Sequence, residues 1–280
     1  MNSHTNTPAP IGMFDSGVGG LSVLRAVRRL IPAQPVLFLA DQANVPYGSR
    51  SLAEVQALSE GITRFLLAQG ARLIVVACNT ASAAALYQLR NTFPAVPFVG
   101  MEPAVKPAVE HTQSGTVGVL ATPATFQGEL YASVVARFAQ GVTILQDTCP
   151  GLVSQIEAGH LEGAETRRIL EDALLPMIAA GIDSLVLGCT HYPFVIPLIE
   201  RILSANSRQP VNVIDPAPAV ARQTRRLLAE NGWLAQDEQP GAMTLWTTGD
   251  TATFEHLLPR LLGEKLASHS ALWSADQLTG

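Results

Sequence analysis

LIVVACNTASA, Leu73 to Ala83, is an uninterrupted apolar run that ends in a cysteine, an asparagine and a threonine. An apolar run without polar alternation reads as a strand buried on both faces, the kind that parallel sheets contain. The continuation predicts a helix from Ala81 to Arg90. SLVLGCTHYP, Ser184 to Pro193, repeats the plan: an apolar strand, then cysteine, then a hydroxyl residue, then a helix. The chain therefore reads as two halves of one design, each closing a strand on a thiol.

The same alternation runs outward from these stretches. IGMF (Ile11 to Phe14) leads to a helix over Leu21 to Leu30, and VLFL (Val36 to Leu39) to one over Leu52 to Gln69. Ser51 and Glu54 make a capping box for the latter, Val55, Leu58, Ile62, Phe65 and Leu66 form its apolar stripe, and Gly70 stops it. VPFVG is extended, TVGVLA precedes a helix over Thr125 to Ala139, and VTIL precedes helices over Leu152 to Ala158 and Ala164 to Ala180. VNVI and MTLW each lead into one more helix. Strand–helix repetition of this kind predicts an α/β fold with mostly parallel sheets covered by helices. The Pro-rich stretch Pro103 to Pro107 and the loop Ser204 to Pro210 are the expected crossings between two sheets, and the residues after Lys265 read as a tail.

With 280 residues, 48% of them hydrophobic and 15% charged, the chain can bury a large core and is long enough for two domains. A formal charge of −5 and the lack of a basic run argue against nucleic acid as the main ligand. The opening MNSHTNTPAP has neither a basic segment nor an apolar one, and no apolar stretch is long enough to cross a bilayer, so a cytoplasmic protein without membrane contact is expected. Three cysteines make an odd count that reads as thiols, and no ligand spacing points to a metal.

In parallel α/β sheets, ligands bind at the carboxyl ends of strands, where Cys78 and Cys189 lie. A following helix is expected to lower each thiol pKa. A lone buried cysteine is usually packing, and Cys149, in QDTCPGL, takes that reading. Two cysteines in matched polar contexts do not. Asp15 and Ser16 follow the first strand and should share the edge of Cys78, while His191 sits two residues beyond Cys189. Opposed thiol and thiolate groups suit removal of an α-proton from one face of an amino acid and its return on the other.

FDSGVGGLSVL, VPYGSRS, ACNTASA and GCTHYP, in this order, resemble the glutamate racemases of the cofactor-independent aspartate/glutamate racemase superfamily, and the likeness runs from about Ile11 to the TTGD at Gly249. The resemblance implies two pseudo-symmetric α/β domains, residues 1–101 with 211–280 and residues 102–210, and an active site in the cleft between them. It implies Cys78 as the base acting on D-glutamate and Cys189 as the base acting on L-glutamate, assisted by Asp15 and His191. Asp15, Ser16, Tyr47, Gly48, Asn79, Thr80, Thr190 and His191 carry over as substrate contacts, and Glu157 as an acidic neighbour of His191. It implies no cofactor and no metal, a homodimer, and a bacterial role in supplying D-glutamate for peptidoglycan. Asn44 stands where many relatives carry Arg, and Pro216 where a small hydroxyl residue is common.

Other chemistries fit less well. Gly17, Gly19 and Gly20, with Asp41 downstream, imitate a dinucleotide fingerprint but lack G-x-G-x-x-G, and no P-loop occurs. Pyridoxal phosphate needs a lysine, and Lys106 and Lys265, the two in the chain, sit at no strand end. Racemisation of a related amino acid such as aspartate, a Cys189–His191 amidase, and a non-catalytic amino-acid-binding protein are the alternatives. The last two leave Cys78 unexplained.

Overall fold

The computed structural model describes residues 8–237, 239–274 and 277–280. The reading of the chain start rests largely on residues 1–7, which lie outside the described residues. β1 (Ile11–Asp15) leads into α1 (Leu21–Leu30), β2 (Val36–Ala40) into α2 (Leu52–Ala68), and β3 (Leu73–Val76) into α3 (Asn79–Thr92), followed by the short β4 (Phe98–Val99). The middle of the chain forms α4 (Val105–His111), β5 (Thr116–Ala121), α5 (Pro123–Gln127), α6 (Glu129–Phe138) and β6 (Thr143–Asp147). It continues with α7 (Leu152–Glu157), α8 (Ala164–Ala179), β7 (Ser184–Gly188), α9 (Ile196–Asn206) and β8 (Asn212–Ile214). Then come α10 (Ala217–Glu230), β9 (Met243–Thr247), α11 (Thr251–Leu261), β10 (His269–Ser270), β11 (Leu272–Ser274) and β12 (Gln277–Thr279).

Two parallel sheets result. One has six strands in the order β10-β9-β2-β1-β3-β4, the other four in the order β6-β5-β7-β8. The order β2-β1-β3-β4 in the first matches β6-β5-β7-β8 in the second, so β5 is the counterpart of β1 and β7 of β3. Register extends the match to single residues. Phe14 pairs with Val76, which brings Ser16 level with Cys78 two steps on; Ala121 pairs with Gly188, which brings Thr122 level with Cys189 one step on.

The central strands β1, β3 and β7 are buried along their whole length, as unbroken apolar runs require. One apolar cluster runs through both sheets, from Ile11, Met13 and Val75 to Leu120, Leu185 and Leu187, and packs α1 and α10 of one lobe with α8 and α9 of the other. The lobes thus share a core, and the cleft is held by apolar contact as well as by the chain crossings.

Several boundaries differ from expectation. The helix expected over Thr125 to Ala139 is two helices: Gly128 is extended (φ −70°, ψ 138°), and a side chain there would press Ala83 on α3 at 3.1 Å. The return to the first lobe is not in the Ser204 to Pro210 loop. β8 still pairs with β7, so the second sheet runs past residue 210 and the chain crosses only after Ile214. The residues after Lys265 are not a tail, because β10 pairs with β9, and Ala271 and Leu278 are buried in the second core cluster with Phe65 and Trp246.

Candidate active site

Strand ends bring the chemistry together. Cys78 follows β3 and caps α3, its sulfur accepting the Ala81 N–H at 3.4 Å and its thiol facing the Ser16 hydroxyl at 3.8 Å. Cys189 follows β7, with its sulfur 3.7 Å from Nδ1 of His191. A 3-10 turn, Tyr192–Val195, separates Cys189 from α9, so the expected helix cap exists at Cys78 alone. Both cysteines line one small cavity, together with Ser16, Tyr47, Gly48, Asn79, Thr80, Thr190 and His191. A larger hollow of about 490 Å³, lined by Arg25, Phe194 and Arg260 among others, contains neither cysteine. Cys149 is buried with a left-handed backbone (φ 44°) in the shared core and does not line the cavity.

The glycine turn after β1 serves close approach. A side-chain carbon at Gly17 would overlap the Glu157 carboxylate, and one at Gly19 would sit 2.5 Å from both His191 Nδ1 and Thr190 Oγ1. Only hydrogen fits at either position. Val18 then donates its backbone N–H to Glu157 Oε1 at 2.8 Å, and the same oxygen lies 2.6 Å from His191 Nε2. Ser22 bridges the lobes as well, its hydroxyl 2.8 Å from the carbonyls of Gly19 and Thr190. Asp15 lies behind Cys78 and takes the Gly20 N–H at 2.8 Å.

A family model described as Asp/Glu/Hydantoin racemase matches residues 16–224. The chain belongs to that family. It is 51% identical over 253 residues to a glutamate racemase of Roseiflexus sp. (strain RS-1), covering 90% of this chain and 92% of the relative. A crystal structure of a glutamate racemase from Bacillus anthracis superposes with a TM-score of 0.83 at 31% identity, covering 96% of this chain and 98% of that one. The Escherichia coli glutamate racemase, in complex with L-glutamate and the activator UDP-MurNAc-Ala, superposes with a TM-score of 0.80 at 32% identity, covering 98% and 100%. As a member of the racemase family, the protein is a two-lobed α/β enzyme whose solved relatives share its fold almost end to end.

Within this racemase-family fold the polar side chains divide into committed and uncommitted ones. Tyr47 lines the cavity, and its hydroxyl donates to Asp41 at 2.6 Å. Fully buried Asp41 also receives Thr248 Oγ1 at 2.7 Å, Trp273 Nε1 at 2.8 Å and the Asn44 amide at 3.1 Å. Asn44 thus joins the cluster that holds Tyr47. Pro216 opens α10, beside an Asp215 carboxylate that takes the Ala217 N–H at 2.9 Å. By contrast, among the described residues neither amide atom of buried Asn79 has a partner, and one Asp15 oxygen likewise has none. Buried polar atoms without a partner are uncommon, and those that line a cavity are available to a ligand.

Sequence reading missed Thr122, Pro46 and Val153, which line the cavity, and Ser22 and Gln42, which support it. Thr122 had a signal: it follows β5 directly as Ser16 follows β1, and its hydroxyl reaches Thr80 in the other lobe at 3.1 Å. The partner of Ser22 is distant in sequence and left no local trace.

Burial, with Asp15 next in effect, pushes the Cys78 thiol well above its ordinary value, so the expected lowering by the helix end fails there. Burial also raises Asp15 against the pull of His191, Cys78 and the Gly20 N–H. Burial opposes a charge on His191, yet contact with Cys189 and Glu157 overrides it and lifts the imidazole well above its ordinary range. Glu157, although desolvated, is held low by His191, the Val18 N–H and Gln42. The two cysteines therefore have different helpers: a carboxyl that is easily protonated beside Cys78, and an ion pair beside Cys189. Among the described residues no cluster of three or more His, Cys, Asp or Glu is arranged to hold a metal, and no helix is long and apolar enough to cross a membrane.

Proposed function

We propose that the protein interconverts L- and D-glutamate, without a cofactor, by removing the α-proton with one of Cys78 and Cys189 and delivering a proton to the opposite face from the other. The observation that carries this reading is that two cysteines, each at the carboxyl end of an equivalent strand in a separate sheet, line a single small cavity. In the L-to-D direction the Cys189 thiolate takes the α-proton, the electron pair delocalises into the substrate carboxyl group, and the Cys78 thiol delivers its own proton to the opposite face. Cys78 is suited to begin as the acid, since burial beside Asp15 keeps its proton on. In the reverse direction Asp15 is the group that accepts that proton, its raised pKa matching the task. His191, held cationic by Glu157, supplies the positive charge that a thiolate at Cys189 needs.

Substrate recognition follows from donors without formal charge. No Lys or Arg lines the cavity, so the two carboxylates of glutamate would be held by the hydroxyls of Ser16, Thr80, Thr122 and Thr190, by the Asn79 amide, and by backbone N–H groups near Gly48 and the start of α3. The glutamate racemases that match the chain, one of them with L-glutamate bound, support this substrate over aspartate. D-Glutamate for peptidoglycan, a cytoplasmic setting and a homodimer belong to the same reading.

Purified protein given L-glutamate and no additive is expected to bring the optical rotation to zero, and Cys78→Ser or Cys189→Ser each to stop it. The Cys189–His191 contact also suits an amidase; ammonia release that survives Cys78→Ser would establish that activity and defeat the racemase reading.

A further inference from the structure

Glu157 is held on more than one side. Its Oε1 serves His191 and the Val18 N–H, and its Oε2 takes the side-chain amide of Gln42 at 3.2 Å. Gln42 lies one residue past Asp41, at the carboxyl end of β2, and does not line the cavity. Its amide oxygen accepts the hydroxyl of Thr247, the last residue of β9, at 2.8 Å. Thr247 is fully buried, and its oxygen accepts the Gly249 N–H at 3.0 Å, so its hydroxyl proton is left to point at Gln42. The Glu157 carboxylate only accepts, so it faces the amide N–H of Gln42 and leaves the amide oxygen to accept from Thr247. Gly249 allows the approach, because a side-chain carbon there would lie 2.9 Å from Cβ of Gln42. The chain Thr247–Gln42–Glu157–His191–Cys189 thus runs from a strand of the first lobe to a sulfur of the second.

We propose that Gln42 is a positioning residue for the reaction: it orients Glu157 so that the His191 imidazole is held against Cys189, and it passes the rigidity of β9 to that half of the site. This rests on the racemase reading. The residue requirement is narrow. The side chain must donate on one side and accept on the other without carrying charge, because a second anion would compete with Glu157 for His191. The titratable groups facing Glu157 are His191, from the segment after β7, and Asp15, from β1, while Cys189 faces His191 in turn.

Two enantiomers have equal energies, so any loss in kcat/KM is shared by both directions, and asymmetry must be sought in the isotope effect. In Gln42→Leu, turnover is expected to fall by up to about 100-fold at nearly unchanged KM, since positioning is lost and no substrate contact is. The primary isotope effect with α-deuterated L-glutamate, whose deuteron Cys189 removes, is expected to grow; that with α-deuterated D-glutamate is not. Gln42→Glu supplies the same donor only when protonated, so it is expected to keep turnover at low pH and lose it as the pH rises through a range where the parent profile is flat. This second variant serves where Gln42→Leu does not fold. Unchanged turnover in folded Gln42→Leu, equal change of both isotope effects, or a Gln42→Glu profile parallel to the parent would each overturn the proposal while the parent still racemises. A parent inert on both enantiomers would overturn the functional reading itself.

Discussion

At the scale of single residues, the site is decided by who has a partner and who has room. Gly19→Ala forces a carbon to within 2.5 Å of His191 Nδ1 and Thr190 Oγ1. The glycine turn is then expected to separate from the second lobe, and a shift of about 1 Å suffices for a loss of about 100-fold in turnover, measurable by polarimetry on protein with an unchanged circular dichroism spectrum. Asn79 is the opposite case. Its amide has no partner among the described residues, so Asn79→Ala removes no hydrogen bond seen there and is expected to leave the melting temperature unchanged or raised. If the amide instead holds a substrate carboxylate, KM is expected to rise by about tenfold, the worth of one hydrogen bond to a charged group. The motif residues of this site were legible because their chemistry is local: a cysteine at a strand end and a histidine two residues on. Their protonation was not legible. The helix end at Cys78 pulls one way, while burial and Asp15, visible only once β1 and β3 are side by side, pull harder the other way.

At the scale of elements, α2 shows how far pattern alone reaches. Its predicted capping box is present, with Ser51 Oγ 3.3 Å from the Glu54 N–H and the Glu54 carboxylate 2.9 Å from the Ser51 N–H. Ser51→Ala is expected to cost about 1 kcal/mol in urea unfolding without changing turnover, because the cap faces solvent. α5 and α6 show the limit. Residues on both sides of Gly128 favour helix, yet Gly128 is extended, at a place where a side chain would press Ala83 on α3, a neighbour that the local sequence does not reveal. The final strands were missed for a similar reason: β10 is two residues long and depends on pairing with β9. Thr122 lies between these cases. The strand-end rule reaches it once β5 is aligned with β1, and its bond to Thr80 joins the lobes across the cavity.

For the whole molecule, the alternation of buried strands and helices was enough to predict two parallel sheets, but not what ties them together. The ties include Glu157 to Val18 and Gln42, Ser22 to Thr190, and Thr80 to Thr122, with His191 held by the same Glu157 carboxylate. They make stability and charge interdependent. His191 has a raised pKa in the fold, so its contribution is complete below its ordinary value of 6.5 and is lost as pH rises through the elevated one. Glu157 has a lowered pKa, so its contribution is complete above its ordinary value of 4.5 and is lost as pH falls through the depressed one. The melting-temperature gap between the parent and Glu157→Gln is therefore expected to be widest between pH 4.5 and 6.5 and to shrink on either side. Within that window it should correspond to about 3 kcal/mol, the cost of leaving a buried charge unpaired. The central claim, that two sulfurs serve opposite faces of one substrate, is tested most directly by early-conversion labelling. With L-glutamate in D2O, the account expects the first D-glutamate formed to carry α-deuterium from Cys78 while the remaining L-glutamate keeps its hydrogen. D-Glutamate that retains the original hydrogen, or L-glutamate that gains deuterium as fast as it inverts, would contradict it.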